Sequence, residues 1–353
     1  MSEEKELTYI LGAGASFESM PVVRTFADRF STFAHFLNKC SDLRFNKDAC
    51  TQELDNFKTA FLLASTFHQD FIRHYSFDNF FKKLFHTGKK PAISLGKKIL
   101  HLYFLWEHLE NPSDKSNLTF KKQSSIDKRY DALIAGLLCP DIGVSKTFCK
   151  VNFITWNYDL NLLESLKAYF YPNRNFAQFF KDIKTKNKNI LNIKNQISIV
   201  NMNGYFYSSC FNDFQSSQGV DSKKIIAEKI SNNYFNYDIK DKDAELIKFA
   251  WESESAIANI AKDKICNSNN VIVVGYTFPL YNRLLDMVYF NGSSLYGKNL
   301  YIQDPNALEL KLSLVENFNI RPGNPQYAGH TPTVLKSIAN CDNFYVPNNI
   351  FTT

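Results

Sequence analysis

The chain has 353 residues, 44% of them hydrophobic, and its 41 Lys and Arg against 35 Asp and Glu leave a formal charge of +6. This is a globular composition, long enough to bury a sizeable core in one large α/β domain or two smaller ones, and lysines scattered through the chain favour a solvated surface over a nucleic-acid stripe. Seven Cys, at positions 40, 50, 139, 149, 210, 266 and 341, include no C-x-x-C pair. They argue against a zinc ribbon or a disulfide framework and fit a reducing cytoplasm, and no apolar run approaches the roughly 20 residues of a membrane span.

The 32 Phe and 18 Tyr, set against 13 Gly and 11 Pro, point to long helices packed through aromatic side chains. In chain order, Leu7 to Leu11 is a short β-prone run that stops at Gly12-Ala13-Gly14-Ala15-Ser16, and Pro21 marks a turn before a helix. Residues 31–137 read as a helical insertion lying over one end of a sheet. Phe33, Phe36 and Leu37, then Phe77, Phe80, Phe81 and Leu84, then Leu100, Tyr103, Phe104 and His108 fall at three- and four-residue spacing, with breaks at Pro91 and at Asn111 to Asp114. Strands are expected at 149–155, 196–202, 271–274 and 299–303, and helices at 160–170, 243–261, 281–290 and 307–317. Lys181 to Lys188 reads as a solvated loop, 206–235 as irregular, and the residues after 317 as a polar tail.

Each expected strand ends in small or polar residues: Gly12-Ala13-Gly14, Asn157 with Asp159, Asn203-Gly204, Gly275 with Thr277, and Asp304 with Asn306. In a parallel sheet the carboxyl ends share one edge, where ligands bind, and a glycine turn at a helix start favours a diphosphate. The expectation is a single domain over 1–353: a Rossmann-like parallel sheet with helices on both faces and a large helical insertion.

Several of these segments resemble those of sirtuin-like domains. Gly12-Ala13-Gly14-Ala15-Ser16 with Pro21 is similar to their G-A-G-x-S…P opening, and Thr155-Trp156-Asn157-Tyr158-Asp159 to their T-x-N-x-D motif. Gly275-Tyr276-Thr277-Phe278-Pro279 and Asp304-Pro305-Asn306 resemble the segments that hold the adenosine half of NAD. Tyr75 to Phe80 and Arg129 to Leu133 are similar to the bacterial sirtuin-like proteins of antiphage defence, which hydrolyse NAD+ instead of deacylating proteins. Two departures stand out. The paired C-x-x-C motifs of the deacylating members are absent, and Asn203-Gly204 replaces the family's His-Gly. An amide cannot act as a base near neutral pH, so either another residue supplies that role, the chemistry needs little base help, or activity has been lost.

The resemblance implies an NAD+ glycohydrolase of an abortive-infection system, with NAD+ as substrate and no metal. It implies gating by oligomerisation or by a separate subunit: a HerA-like ATPase, an Argonaute-type protein or a nucleotide-sensing protein. Asn157, Asp159, Asn203 and Asp78 are the expected catalytic residues. Gly12, Ala13, Gly14, Ser16, Gly275, Thr277, Asp304 and Asn306 are expected to bind the dinucleotide. Asn157 can place water or ribose and Asp159 can accept from the carboxamide. His74 and Asp78, four residues apart, are expected to share a helix face beside the site. The alternative is a nucleotide- or ADP-ribose-binding subunit without turnover, with a nucleic-acid-docking structural subunit as a third reading.

Overall fold

The computed structural model describes residues 5–109, 127–140, 145–187, 189–206, 222–230, 234–236, 238, 240–242, 244–252, 255–318, 320 and 333–351. Seven strands, β1 (Glu6–Leu11), β2 (Lys150–Thr155), β3 (Ile190–Ile193), β4 (Ile197–Asn201), β5 (Asn270–Val274), β6 (Asn299–Gln303) and β7 (Val334–Ile338), form one sheet in the order β3-β4-β2-β1-β5-β6-β7. All neighbours are parallel except β3 with β4. The fold is α/β and Rossmann-like. The chain runs outward from β1 through β2 to β4, then returns to β5 on the other side of β1, so the order reverses between β1 and β5. In such sheets the crevice at that reversal is where ligands bind.

Side chains alternate across the strands, and the two faces feed two separate cores. Leu7, Tyr9 and Leu11 of β1 join the first, with Val151, Phe153, Ile197 and Ile199. The same cluster takes side chains from α1 (Val23–Cys40), α2 (Thr51–Ile72), α3 (Phe77–His86), α4 (Lys90–Leu109), α5 (Lys128–Leu137), α6 (Asn161–Phe170), α7 (Phe176–Ile183) and α8 (Ser222–Lys229). Ile10, Ile154, Val271, Val273 and Ile302 face the other way, against α9 (Ser255–Asn267), α10 (Arg283–Tyr289) and α11 (Ala307–Asn317). Both faces of the central strands are therefore dry, as a near-continuous apolar run such as Val271–Val274 requires.

Between β1 and β2 lie α1 to α5. Their core is aromatic: the Phe30 and Phe71 rings meet at 5.0 Å, Phe26 and Tyr103 at 5.1 Å, and Phe33 and Trp106 at 5.5 Å. Inside it Arg29 Nε donates to Glu107 at 2.6 Å while the guanidinium lies 4.3 Å from the Trp106 ring centre, which compensates two otherwise costly buried charges. Pro91 occupies the first turn of α4, where its missing N–H costs nothing. Position 31, the expected start of the insertion, falls inside the continuous α1, and the expected break at Asn111 to Asp114 lies outside the described residues.

Several elements differ from expectation. Lys181 to Ile183 close the amphipathic α7 instead of opening a loop, and α8 forms within the stretch expected to be irregular. The polar tail contains β7. The helix expected over 243–261 is instead α9, starting at Ser255, preceded by short 3-10 turns at Ala244–Leu246 and Ala250–Glu252. Ile247 and Phe249 belong to the first core and Ala250 to the second, so this segment crosses from one face of the sheet to the other, which a continuous helix does not do.

Candidate functional site

The register sets Asn201, Thr155, Leu11, Val274 and Gln303 at one level across β4, β2, β1, β5 and β6. Five neighbouring strand ends at about 4.8 Å spacing span roughly 19 Å, and the residues just beyond them form one rim. Hydrogen bonds continue past the strands: Met202 N–H to Thr155 O at 2.9 Å, Trp156 N–H to Leu11 O at 3.0 Å, Gly12 N–H to Val274 O at 3.0 Å and Gly275 N–H to Gln303 O at 3.0 Å. Asn203, Asn157, Gly12, Gly275 and Asp304 thus follow one another along a single edge.

The glycines serve contact between two strand-end loops. Gly14 N–H donates to Gly275 O at 3.1 Å, a Cβ on Gly275 would stand 2.5 Å from Gly14 Cα, and Gly275 has φ +56°. A side chain at either position would push β1 and β5 apart. Because the N–H groups of Gly12 and Gly14 are spent on this contact, the diphosphate role expected of them does not extend to those donors. The turn leads into a 3-10 helix, Ala13–Ser16, and α1 begins only at Val23, so the turn does not open directly into a long helix. Ala13 is exposed.

Ser16 is buried at the centre of a polar network. Asn157 Nδ2 donates to its Oγ at 3.3 Å, the Tyr130 hydroxyl lies 3.2 Å away, and Ser16 also bonds the Asp159 carboxyl. Asp159 Oδ1 accepts from Asn161 N–H at 3.0 Å and Nδ2 at 2.7 Å, closing the turn into α6. Burial raises the Asp159 pKa above the ordinary carboxylate value, opposed by the hydrogen bonds from Asn161 and Ser16. Beneath the turn, Arg129 pairs with Asp127, donates from Nη2 to Ala15 O at 2.9 Å and from Nη1 to Cys341 O at 3.2 Å, and lies 4.2 Å from the Phe17 ring centre. Arg129, Asp127, Tyr130 and Asn161 were not expected site residues. Arg129 and Tyr130 stand in a segment quoted for its resemblance but given no role, and nothing in the sequence marked Asp127 or Asn161.

Asn203 lies two residues beyond β4 and is 5% exposed. Its Nδ2 donates to Trp156 O at 3.2 Å, while its Oδ1 is buried without a hydrogen-bond partner among the described residues. The face-crossing segment runs beside it, with Lys248 N–H bonding Asn203 O at 2.8 Å and the Tyr158 hydroxyl bonding Lys248 O at 2.9 Å. The amide is thereby held with a lone acceptor free, which a ligand hydroxyl or N–H can satisfy.

Asp78 lies in the first turn of α3, capped by Ser76, whose Oγ accepts from Asn79 N–H at 3.2 Å. It is 7% exposed, and burial pushes its carboxyl up to about 7. Its electrostatic neighbours include Tyr158, in the loop after β2, and Tyr281, in the 3-10 turn Leu280–Asn282 that precedes α10, and Tyr281 also hydrogen-bonds Ser76. His74 does not share a face with it: the cap at Ser76 leaves His74 in the α2–α3 connection, its ring 5.5 Å from that of Phe80.

Trp156 stacks on Tyr276 at 5.6 Å, and its Nε1 donates to the Tyr289 hydroxyl at 3.1 Å. Tyr289 and Tyr276 in turn donate to Asp286 at 2.7 and 2.8 Å. Burial raises Asp286 to about 7 despite these bonds. Thr277 is exposed on the rim. Asp304 Oδ1 accepts from Asn306 N–H at 2.8 Å, making an Asx turn ahead of α11, and the Asn306 side chain is exposed.

Among the described residues no group of three or more His, Cys, Asp or Glu is arranged to hold a metal ion, and no helix is long and apolar enough to cross a membrane. A surface groove of about 680 Å³ lies away from the rim, between the α1–α2 connection and α8, lined by Asn46, Cys50, Asn56 and Lys223. No protein-family model matches the chain, and no curated protein matches it.

Proposed function

We propose that the chain is a cytoplasmic NAD+ glycohydrolase, the effector of an antiphage system, held in check until a partner subunit or oligomerisation activates it. The observation that carries this reading is the single rim, in register, of Asn203, Asn157, Gly12, Gly275 and Asp304 at the point where strand order reverses. Thr277, Asp304 and Asn306 take the adenosine side and Ala13, with the turn held by Gly12, Gly14 and Ser16, the diphosphate. The resemblance to sirtuin-like defence proteins supplies the reaction and the partner classes: a HerA-like ATPase, an Argonaute-type protein or a nucleotide-sensing subunit.

In the reaction the bond between the ribose C1′ and the nicotinamide N1 breaks, its electron pair neutralises the pyridinium, and water adds to C1′. The products are nicotinamide, ADP-ribose and a proton. Asn157, fixed by Ser16, orients the ribose or the water, and Asp159 faces the developing positive charge. Asn203 offers Oδ1 to a ribose hydroxyl. Asp78 takes the water's proton, because burial pushes its carboxyl up to about 7, where a base is matched to neutral pH, and the hydrogen bonds that hold Asp159 and Asp286 are absent from it among the described residues. The buried amide at Asn203 also favours a second reading, a subunit that binds ADP-ribose or a relative without turnover. Incubating the purified protein with NAD+, alone and with each partner class, separates the two: nicotinamide release that falls at least 100-fold in Asn157→Ala supports catalysis, and binding without release in every mixture supports the sensor.

A further inference from the structure

The helical insertion brings to the rim a carboxyl that the sheet does not supply. Asp78 of α3 neighbours Tyr158 beyond β2 and Tyr281 beyond β5, and β1 lies between those two strands. The ring of Phe77, the residue before Asp78, lies 6.1 Å from that of Tyr158, so the start of α3 packs beside the loop that follows β2. Asp78 is 7% exposed, and apart from its own backbone N–H it has no hydrogen-bond partner among the described residues. No described Lys, Arg or His pairs with it. Beyond its tyrosine neighbours lie Glu252, near Tyr158 and ion-paired to Lys97 at 2.7 Å, and Asp286, near Tyr281 and within the field of Arg283; Tyr75 also lies near Tyr281.

A buried carboxylate without a cation is expensive, and proteins rarely leave one uncompensated away from a site that uses it. The walls around it are aromatic: the Tyr158 ring lies 6.1 Å from Phe77 and 5.3 Å from Phe104. Ring faces and an anion together suit a flat cation, since both attract positive charge. Resting on the dinucleotide reading above, we infer that Asp78, Tyr158 and Tyr281 form a pocket for a planar cationic ring, the oxidised pyridinium of NAD+, and that this pocket reads the ligand's charge. NADH has the same shape on its adenosine side and a neutral dihydropyridine at this end. A pocket of this kind rejects it on charge, and a carboxyl serving only as a base does not.

The test is calorimetric binding of NAD+, NADH and ADP-ribose to the full-length protein at pH 8 and low temperature, with nicotinamide release followed in the same samples. The wild type is expected to bind NAD+ at least tenfold more tightly than NADH. Asp78→Asn should weaken NAD+ at least tenfold and leave NADH and ADP-ribose within twofold; Tyr281→Phe should shift NAD+ in the same direction by less. Equal affinities of the wild type for NAD+ and NADH, with ADP-ribose still bound, overturn this inference alone. Equal weakening of all three ligands by Asp78→Asn also overturns it, by assigning Asp78 a structural role. Failure of the wild type to bind ADP-ribose overturns the dinucleotide reading as well.

Discussion

Asp78 has a measurable cost. Its carboxyl titrates near 7 in the folded chain against an ordinary value of 3.8, so the folded state holds its proton over a range in which the unfolded state has released it. Folding therefore loses stability as pH rises from about 4 to about 7 and keeps that loss above 7. Asp78→Asn removes the penalty. The variant is expected to be more stable at pH 8 by up to roughly 4.5 kcal/mol, from about 1.4 kcal/mol per pH unit, with the gain vanishing near pH 4. Urea titrations at the two pH values check this, and a loss of stability at pH 8 contradicts it. A residue that destabilises the fold while serving the site is the usual sign of function. Gly275 makes a second residue-scale case. Gly275→Ala adds a Cβ 2.5 Å from Gly14 Cα at φ +56°, and left-handed strain plus overpacking should cost about 2–4 kcal/mol in a denaturant melt.

At the scale of elements, α5 is what holds the turn between β1 and α1. Arg129→Ala strands the buried Asp127 and releases the carbonyl of Ala15, and removing one partner of a buried pair costs about 3–5 kcal/mol. Arg129→Lys keeps the charge without the fork, so it should recover part of the stability and still bind ADP-ribose more weakly than wild type; urea unfolding and calorimetry read the two effects. The central strands were legible in the sequence because both are buried on both faces: Val271–Val274 reads as an unbroken apolar run, and Leu7–Leu11 as a β-prone run broken only by Thr8. The edge strands were not. In β7 only Leu335 is buried, and β3 has four residues and one antiparallel neighbour, so neither carries a pattern distinct from loop. The helix expected at 243–261 failed because periodicity does not announce a change of face. Of the site, the strand-end residues could be read from the sequence. Arg129 stood in a quoted segment without a role and Tyr281 in none, because the roles of both are defined by what they touch across more than a hundred residues.

At the scale of the whole molecule, two cores lie back to back across a sheet whose carboxyl edge carries the proposed site. The insertion α1–α5 brings α3 and α5 to that edge from one side, and the segment 244–252 passes along it beside Asn203 and Tyr158. Both elements bear on the site, so a partner that moves either can alter the geometry around Asp78 and Asn203 without touching the strands. The central claim is that five strand ends form one dinucleotide site. Amide hydrogen exchange with and without ADP-ribose tests it most directly: the ligand is expected to protect 12–16, 156–159, 202–205, 275–278 and 304–306 together. Protection confined to the groove at Asn46, Cys50, Asn56 and Lys223, or to only one of those strand ends, would contradict it.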